Sequence, residues 1–386
     1  MGVTGAIYSY EQQILKWMNS DSYTVQVQQR DKLTPAQLYQ HFNHTAPDMK
    51  INSITVAQDP SASSAVNVAK EGARRGQNIM VNPYTAEVLP EIKGREFFQF
   101  VQQLHRNLTV GPVGKQITGA CTLMLIFFVL SGLYLRWPKR HSIKQWLFIK
   151  PQLKGRNFIW DLHAVVGTWV VIFYLILACT GLYWSYDWWR NGMFKVLGVE
   201  RPQPEMQANA GNNRGEGRQG GERGARGEGR EETGMNPENI SRALDLSWAG
   251  FNTQFAHKYS TVTFNLPKKP DGEMQLSFVD PVVQHERARN NATYNYRTAE
   301  FTNVEMYEDK KLNEKIMSSM LPVHRGSFFG PIYQFFVMVA ALLMPLFFVT
   351  GWMLYLKRRK QKKLTLAARQ ATIIQPLDPN AKPWLI

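Results

Sequence analysis

Cysteine is almost absent from this chain. Its 386 residues contain two cysteines, Cys121 and Cys179, and both lie inside strongly apolar stretches. Two thiols at such positions exclude a disulfide framework and a metal site built from clustered thiolates. We expect them to act as small packing residues within membrane helices.

Acidic residues are missing from the longest apolar runs. Three such runs occur, at about Ile117–Trp137, Val165–Trp184 and Pro331–Leu356, and none contains an Asp or Glu. Each reaches the roughly 20 residues that cross a bilayer, so the sequence predicts three membrane spans. The lack of carboxylates disfavours a proton relay. The alternative is buried helices of a large soluble core.

The positive charge is concentrated in two stretches. Residues 136–160 and 357–386 each carry a net charge of +7, out of +15 for the chain. Basic loops beside spans mark the cytoplasmic side of a membrane. We therefore predict that both stretches are inside and that the regions before Gln116 and between Ser185 and Gly330 are outside. This distribution favours membrane lipid as a partner and excludes nucleic acid.

Two long segments of the chain resemble each other. His105–Arg140 and His324–Arg359 both begin with His-Arg, continue through four residues to Gly-Pro, and carry a small-residue pair 26 positions after the histidine. The pairs are Ser131-Gly132 and Thr350-Gly351. Such a repeat predicts two equivalent helices, each with a histidine at its outer end.

The first residues of the chain match the end of another span. Thr4–Tyr10 and Thr180–Tyr186 share the pattern Thr-Gly-x-x-x-Ser-Tyr. His163 lies 18 residues before Gly181, and the same spacing would place a histidine upstream of Met1. The match predicts that residues 1–18 are the remnant of a first span; the alternative is a chance similarity.

Two outer modules are predicted between the spans. Both carry a helix followed by strands. The first has the helix Leu33–Tyr39, with Thr34 as a cap before Pro35 at the first helical position, and then the strands Ile51–Val56 and Ile79–Val81. The second has the helix Pro237–Phe251 and then Tyr259–Leu266 and Met274–Val279, which form a hairpin around Pro270-Asp271-Gly272. The second module is interrupted at Arg201–Thr233 by Gly with six Arg and six Glu. This composition predicts a disordered insert, and its balanced charge disfavours RNA binding. The inner loop, 138–160, is too short for a flavin or nicotinamide domain.

Three of the eight histidines lie beside spans. His105 and His324 fall at outer ends and can face each other, while His163 opens its span from inside. Opposed imidazoles are the axial ligands that a six-coordinate haem iron takes, and Arg106 and Arg325 can pair with its propionates. The alternatives are interfacial histidines, a zinc or copper site, and arginine contacts with phospholipid headgroups. The other five are expected at the surface: His41, His44, His141, His257 and His285.

As a set, these motifs resemble the PepSY-associated transmembrane family, whose members include siderophore reductases. The resemblance rests on Leu104-His105-Arg106, Ser131–Tyr134 with Trp137–Arg140, Asp161–His163 with Gly167, Thr180–Leu182, and His324–Gly326 with Gly330. The turn at Asn82–Val88 is similar to the PepSY motif, with Asn82 and Ala86 where Asp and Gly are usual.

The family resemblance implies a membrane α-helical bundle with two periplasmic α+β PepSY-like modules. It also implies haem b bound by span histidines His105, His324 and His163, with any inner haem at His163 in doubt because its partner span is incomplete. Electrons would pass from a quinone or cytoplasmic reductase to ferric siderophores in the periplasm, across the bacterial inner membrane. The alternative is a non-enzymatic, membrane-anchored PepSY binding or inhibitory protein.

The expected segments are 1–18 (span remnant), 19–100 (module 1), 101–137 (span with periplasmic extension), 138–160 (inner loop), 161–186 (span), 187–322 (module 2 with insert 201–233), 323–356 (span) and 357–386 (cytoplasmic tail).

Overall fold

The computed structural model describes residues 1–70, 73–137, 143–201, 235–256, 258–267, 272–283 and 285–374. The predicted insert 201–233 lies outside these residues except for Arg201, as do His141, His257 and the turn expected around Pro270. The tail prediction, 357–386, is covered as far as residue 374.

The first part of the chain folds into short helices and three strands before a longer helix. Thr34 caps its fourth helix as predicted, since its side chain accepts a hydrogen bond from the backbone N–H of Gln37 at 3.2 Å. The elements are α1 (Gly2–Ser9), α2 (Glu11–Met18), α3 (Ser20–Tyr23), α4 (Pro35–Thr45), β1 (Ile51–Ala57), β2 (Ser64–Lys70), β3 (Ala73–Val81) and α5 (Arg95–Asn107).

The second part begins with two long apolar helices. Its elements are α6 (Gly111–Arg136), α7 (Ile143–Leu147), α8 (Gly155–Ser185), α9 (Asp187–Val196), α10 (Pro237–Phe255), β4 (Thr261–Asn265), β5 (Glu273–Val279), β6 (Asn290–Asn295) and β7 (Glu300–Glu305). The chain then runs through α11 (Leu312–Ser318), α12 (Met320–Arg325), a 3-10 turn (Ser327–Phe329), α13 (Pro331–Leu342) and α14 (Met344–Ile374).

The three predicted spans are confirmed as helices. α6, α8 and the α13–α14 helix are long and apolar enough to cross a membrane. In the most apolar window of α6, 11% of the residues are buried inside the protein. The rest present apolar side chains outward, as lipid-facing helices do. The chain is therefore a multi-pass membrane protein with three candidate spans.

The strands of the two predicted modules form one antiparallel sheet. The order among the described strands is β3-β2-β1-β4-β5-β6-β7. The joint is the pairing of β1 with β4, in which Ile54 lies opposite Phe264. An edge strand of each half thus finds its partner in the other half, which removes two exposed sheet edges.

One face of this sheet carries a shared hydrophobic core. Side chains alternate along the strands, so Ile54 and Val66 from the first half and Phe264 and Phe278 from the second point to the same side. Helices α4 and α10 pack over that side, and Phe251 of α10 is fully buried there. The two modules therefore form a single extramembrane domain.

The membrane helices meet around α8. Val170 and Tyr174 of α8 pack against Ala340, and the Tyr174 hydroxyl donates to the Ala340 carbonyl oxygen at 2.9 Å. The helix of the last span is interrupted between α13 and α14, because Pro345 has no backbone N–H to donate to the carbonyl of Ala341. Gly2 of α1 approaches that carbonyl so closely that a Cβ would overlap it.

Candidate functional site

His105 and His324 lie next to each other, outside the span helices. His105 is in the last turn of α5, and His324 is in the last turn of α12. Their ring centres are 6.1 Å apart, and the ring planes are inclined by 62°. The structure thus brings together the two histidines that the repeated His-Arg motif singled out.

The repeated Gly-Pro pairs separate each histidine helix from its span. α5 ends in a left-handed turn, with Leu108 at φ +52°, and α6 starts afresh at Gly111 with φ +63°. In the second copy Gly330, at φ +90°, precedes Pro331 at the start of α13. Glycine tolerates positive φ and proline suits the first helical turn. The orientation of each histidine helix is therefore not fixed by the tilt of the span that follows it, and the two histidines can approach each other.

A Thr-Gly pair contacts each of the two histidines. The Oγ1 atom of Thr4 lies 3.1 Å from Nδ1 of His105, and that of Thr180 lies 2.7 Å from Nδ1 of His324. The following glycines face the rings: a Cβ at Gly5 would lie 3.1 Å from Cε1 of His105. These contacts explain the Thr-Gly match between the first residues and the end of α8.

His163 has the same surroundings at the other end of α8. Its Nδ1 lies 2.7 Å from the Oγ1 atom of Thr350, and a Cβ at Gly351 would be 3.8 Å from its Cε1. His163 and Thr180 are on the same helix, so a rise of about 1.5 Å per residue separates the two levels by about 25 Å. His163 therefore does not join the His105–His324 pair.

One large cavity connects the two levels. It has a volume of about 2700 Å³, and its lining includes His105 and His324 at one end and His163 and Trp160 at the other. Pockets for small molecules usually measure about 300–1,000 Å³. The cavity can therefore hold a group larger than a typical metabolite, or more than one group.

Both histidines of the pair are neutral at physiological pH. Desolvation lowers the pKa of His105 to about 4. It lowers the pKa of His324 to about 3, and the neighbouring His105 and Arg325 add to that shift. A neutral imidazole has a lone pair on one ring nitrogen, which is the form that binds metals. Each imidazole of the pair is therefore in the form that can bind a metal.

The two predicted arginines have different surroundings. Arg325 is buried, forms an ion pair with Glu11, lies 3.7 Å from a carboxylate oxygen of Glu286, and stacks 4.2 Å from the ring centre of Tyr8. Its charge is thus already balanced by two carboxylates. Arg106 is half-buried and lines the cavity beside His105.

One histidine expected at the surface is buried. His285 is 5% exposed, its Nε2 lies 3.0 Å from the Tyr307 hydroxyl, and its ring stacks on Phe328. The surface prediction for His285 was wrong because the loop after β5 folds under α12 and the 3-10 turn. His41 and His44, both on α4, are exposed, as predicted.

The sequence pattern did not identify the partners of the histidines. Thr4, Thr180 and Thr350 contact the imidazoles, and Trp184 packs edge-on against His324 at 5.4 Å between ring centres. The available pattern was the Thr-Gly pair, which occurs five times in the sequence, at Thr4, Thr118, Thr180, Thr233 and Thr350. The fold is needed to show which of these pairs contact a histidine and which histidine each one contacts.

Comparison with known proteins places the chain in a family. No functionally curated protein shows a significant match. The family described as the PepSY-associated TM region matches residues 1–358. This match covers the sheet domain, the histidine pair and all three candidate spans, so the chain belongs to the PepSY-associated TM region family.

Proposed function

We propose that the protein is a haem-b-containing oxidoreductase of the bacterial inner membrane that reduces ferric siderophore iron on the periplasmic side. The observation that carries the proposal is the 6.1 Å separation between the ring centres of His105 and His324. Bonds of about 2 Å from a metal to each imidazole nitrogen place two such centres about 6 Å apart. The pair therefore has the spacing of two ligands of one ion.

The donor set favours haem over zinc or copper. Structural zinc sites use four protein ligands and catalytic ones three. Within the described parts of the chain, no group of three or more His, Cys, Asp or Glu residues could hold a metal ion. Haem brings four ligands of its own to the iron, so two side chains would complete the set, and His105 and His324 would be those residues.

The surroundings of the pair also suit a flat group. Gly5 and Gly181 face the two rings: a Cβ at Gly5 would crowd His105 at 3.1 Å, and one at Gly181 would touch His324 at 3.4 Å. Arg106 lines the same cavity and would pair with a propionate. His163, with Thr350 and Gly351 around it, would anchor a second haem at the opposite level.

The charge distribution supports the direction of transfer. The basic ends of α6 and α14 lie away from the histidine pair, which by the positive-inside rule supports a periplasmic position for the pair. Bound haem supplies an iron that takes up one electron and gives it away. A quinol or a cytoplasmic reductase would be its source. One electron converts the ferric ion of a siderophore to ferrous iron, which hard oxygen ligands hold less strongly.

An absorbance spectrum tests the assignment. We expect full-length protein purified from haem-replete cells to show a Soret band and a low-spin ferrous α-band. His105→Ala and His324→Ala should each abolish the outer haem signal. His41→Ala, on α4 in the sheet domain, is the matched control and should leave the spectrum unchanged.

Two results would contradict the proposal. A colourless wild-type protein would favour the alternative, in which the sheet domain binds or inhibits a partner and the spans only anchor it. A haem spectrum that survives both His105→Ala and His324→Ala would place the cofactor elsewhere.

A further inference from the structure

The hydroxyl protons of three threonines are directed to backbone carbonyls. Thr180 donates to the carbonyl of Ile176 at 2.5 Å, and Thr350 donates to that of Leu346 at 2.7 Å. Thr4 donates to the carbonyl of Met1 at 2.9 Å. These are the bonds that threonine makes inside helices with the residue three or four positions earlier.

The remaining contact of each hydroxyl favours one position of the histidine proton. A threonine hydroxyl has one proton to donate and two lone pairs that accept. A hydroxyl whose proton goes to the helical carbonyl accepts at its other contact, so Oγ1 of Thr180 would accept from the Nδ1–H of His324, 2.7 Å away. The same holds for Thr350 and His163 at 2.7 Å. For His105 the Met1 carbonyl, 3.2 Å from Nδ1, is a second atom that can only accept.

We propose that Thr180, Thr4 and Thr350 are positioning residues that hold His324, His105 and His163 with the proton on Nδ1 and the lone pair on Nε2. The preference for one tautomer follows from this protein's own hydrogen bonds. Its consequence for haem, that Nε2 is presented to the iron in a fixed orientation, rests on the proposed function.

The glycine after each threonine completes the arrangement. A Cβ would meet the Cε1 atom of the bound imidazole at 3.1 Å at Gly5, 3.4 Å at Gly181 and 3.8 Å at Gly351. The hydroxyl receives the N–H while the bare Cα leaves room for the ring edge. Within the described residues, three Thr-Gly pairs receive an imidazole in this way. Thr118-Gly119 on α6 does not: Thr118 donates to the Arg106 carbonyl at 2.7 Å, and a Cβ at Gly119 would meet the Tyr186 hydroxyl oxygen.

Ser131-Gly132 on α6 matches Thr350-Gly351 in the repeated segments but differs from it in its contacts. Ser131 also donates its hydroxyl proton to a helical carbonyl, that of Phe128 at 3.2 Å. A Cβ at Gly132 would meet nothing within 4 Å. Within the described residues this pair faces no imidazole, so a helical hydroxyl beside glycine does not by itself imply a histidine contact.

Nitrogen chemical shifts test the tautomer without haem. In full-length protein labelled with ¹⁵N-histidine and freed of haem, we expect His324 in a single form protonated at Nδ1, with its signal assigned by loss in His324→Gln. Thr180→Val keeps the side-chain shape and should give a mixture of tautomers, which Thr180→Ser should reverse. Thr168→Val is the matched control, because Thr168 donates to the Ala164 carbonyl at 3.0 Å in the same helix.

The loaded protein gives a second measurement. Loss of a hydrogen-bond partner behind a ligating histidine weakens metal binding about 10–100-fold. Thr180→Val should weaken haem binding by that factor and raise the midpoint potential, since a less basic imidazole favours ferric iron less. Thr180→Ser should restore both values, which a purely packing role would not require.

The two proposals fail in different ways. An unchanged His324 tautomer in Thr180→Val overturns the positioning role, whether or not haem binds. Wild-type protein that never binds haem overturns the proposed function and leaves the tautomer measurement intact. If Thr180→Val does not fold, Thr350→Val with His163 as the reporter provides the same comparison.

Discussion

Glu11 and Arg325 form an ion pair across 314 positions of the chain. Arg325 directly follows His324, and Glu11 is the first residue of α2. The pair therefore ties the start of the chain to the helix that carries one histidine of the site. Glu286, from the loop after β5, approaches the same guanidinium at 3.7 Å.

Removing the carboxylate of Glu11 should destabilise the protein. Arg325 is 5% exposed. Glu11→Gln therefore leaves a buried, charged guanidinium that has lost one of its two neighbouring carboxylates. Loss of a partner to a buried charged group costs about 1–3 kcal/mol. We expect a lower melting temperature in detergent for Glu11→Gln.

Asp187→Asn is the control: Asp187 pairs with Arg190 but is 69% exposed, so its loss should change stability by less than about 1 kcal/mol. An equal loss of stability in the two variants would show that the buried Glu11–Arg325 pair contributes no more than the exposed Asp187–Arg190 pair.

Acidification should weaken the loop that holds His285. Burial lowers the pKa of His285; Glu286 opposes this shift and Arg287 adds to it. The neutral ring, beside Tyr307 and Phe328, is the form that the fold stabilises. The unfolded chain binds a proton near pH 6.5, so this contribution is complete above that pH and is lost as pH falls below it. Melting temperatures from pH 8 to pH 5 should fall more steeply for wild type than for His285→Gln. Parallel curves would contradict the prediction.

Glycine replacements should affect haem binding in proportion to the space available. An alanine Cβ at Gly5 would crowd His105 at 3.1 Å, whereas one at Gly351 would make an ordinary contact of 3.8 Å with His163. Gly5→Ala should therefore displace the His105 ring and weaken binding of the outer haem. Gly351→Ala should leave the outer haem unchanged. Gly192→Ala on α9, where a Cβ meets nothing within 4 Å, controls for the general effect of a methyl group. Titration of each variant with haem measures the difference.

The two halves of the sheet should unfold as one unit. Phe264 is fully buried and lies opposite Ile54 at the β1–β4 joint. Truncation of a buried phenylalanine costs about 3–5 kcal/mol, so Phe264→Ala should lower the stability of both halves together. Amide hydrogen exchange should accelerate in β2 as well as in β5. Acceleration confined to β4–β7 would show two independent domains.

The sequence predicted the elements that depend on local pattern. The three spans follow from apolar runs, the cap of α4 from Thr34 and Pro35, and the histidine pair from the repeated His-Arg and Gly-Pro motifs. The β1–β4 joint, the Glu11–Arg325 ion pair and the burial of His285 depend on contacts between distant segments. Local periodicity contains no information about which distant edge or charge becomes the neighbour. The Thr-Gly pairs fall between these cases, because the pattern was visible but its partners were not.

The sheet has a consequence for the distance between the two imidazoles. Its two edge strands, β3 and β7, precede α5 and the α11–α12 segment, and these carry His105 and His324. The sheet domain thus acts as a spacer for the two histidines. By mass action, any group that binds between His105 and His324 stabilises the state in which the sheet domain is intact. A cofactor held beside the membrane would therefore raise the melting temperature of a β-sheet that it never touches.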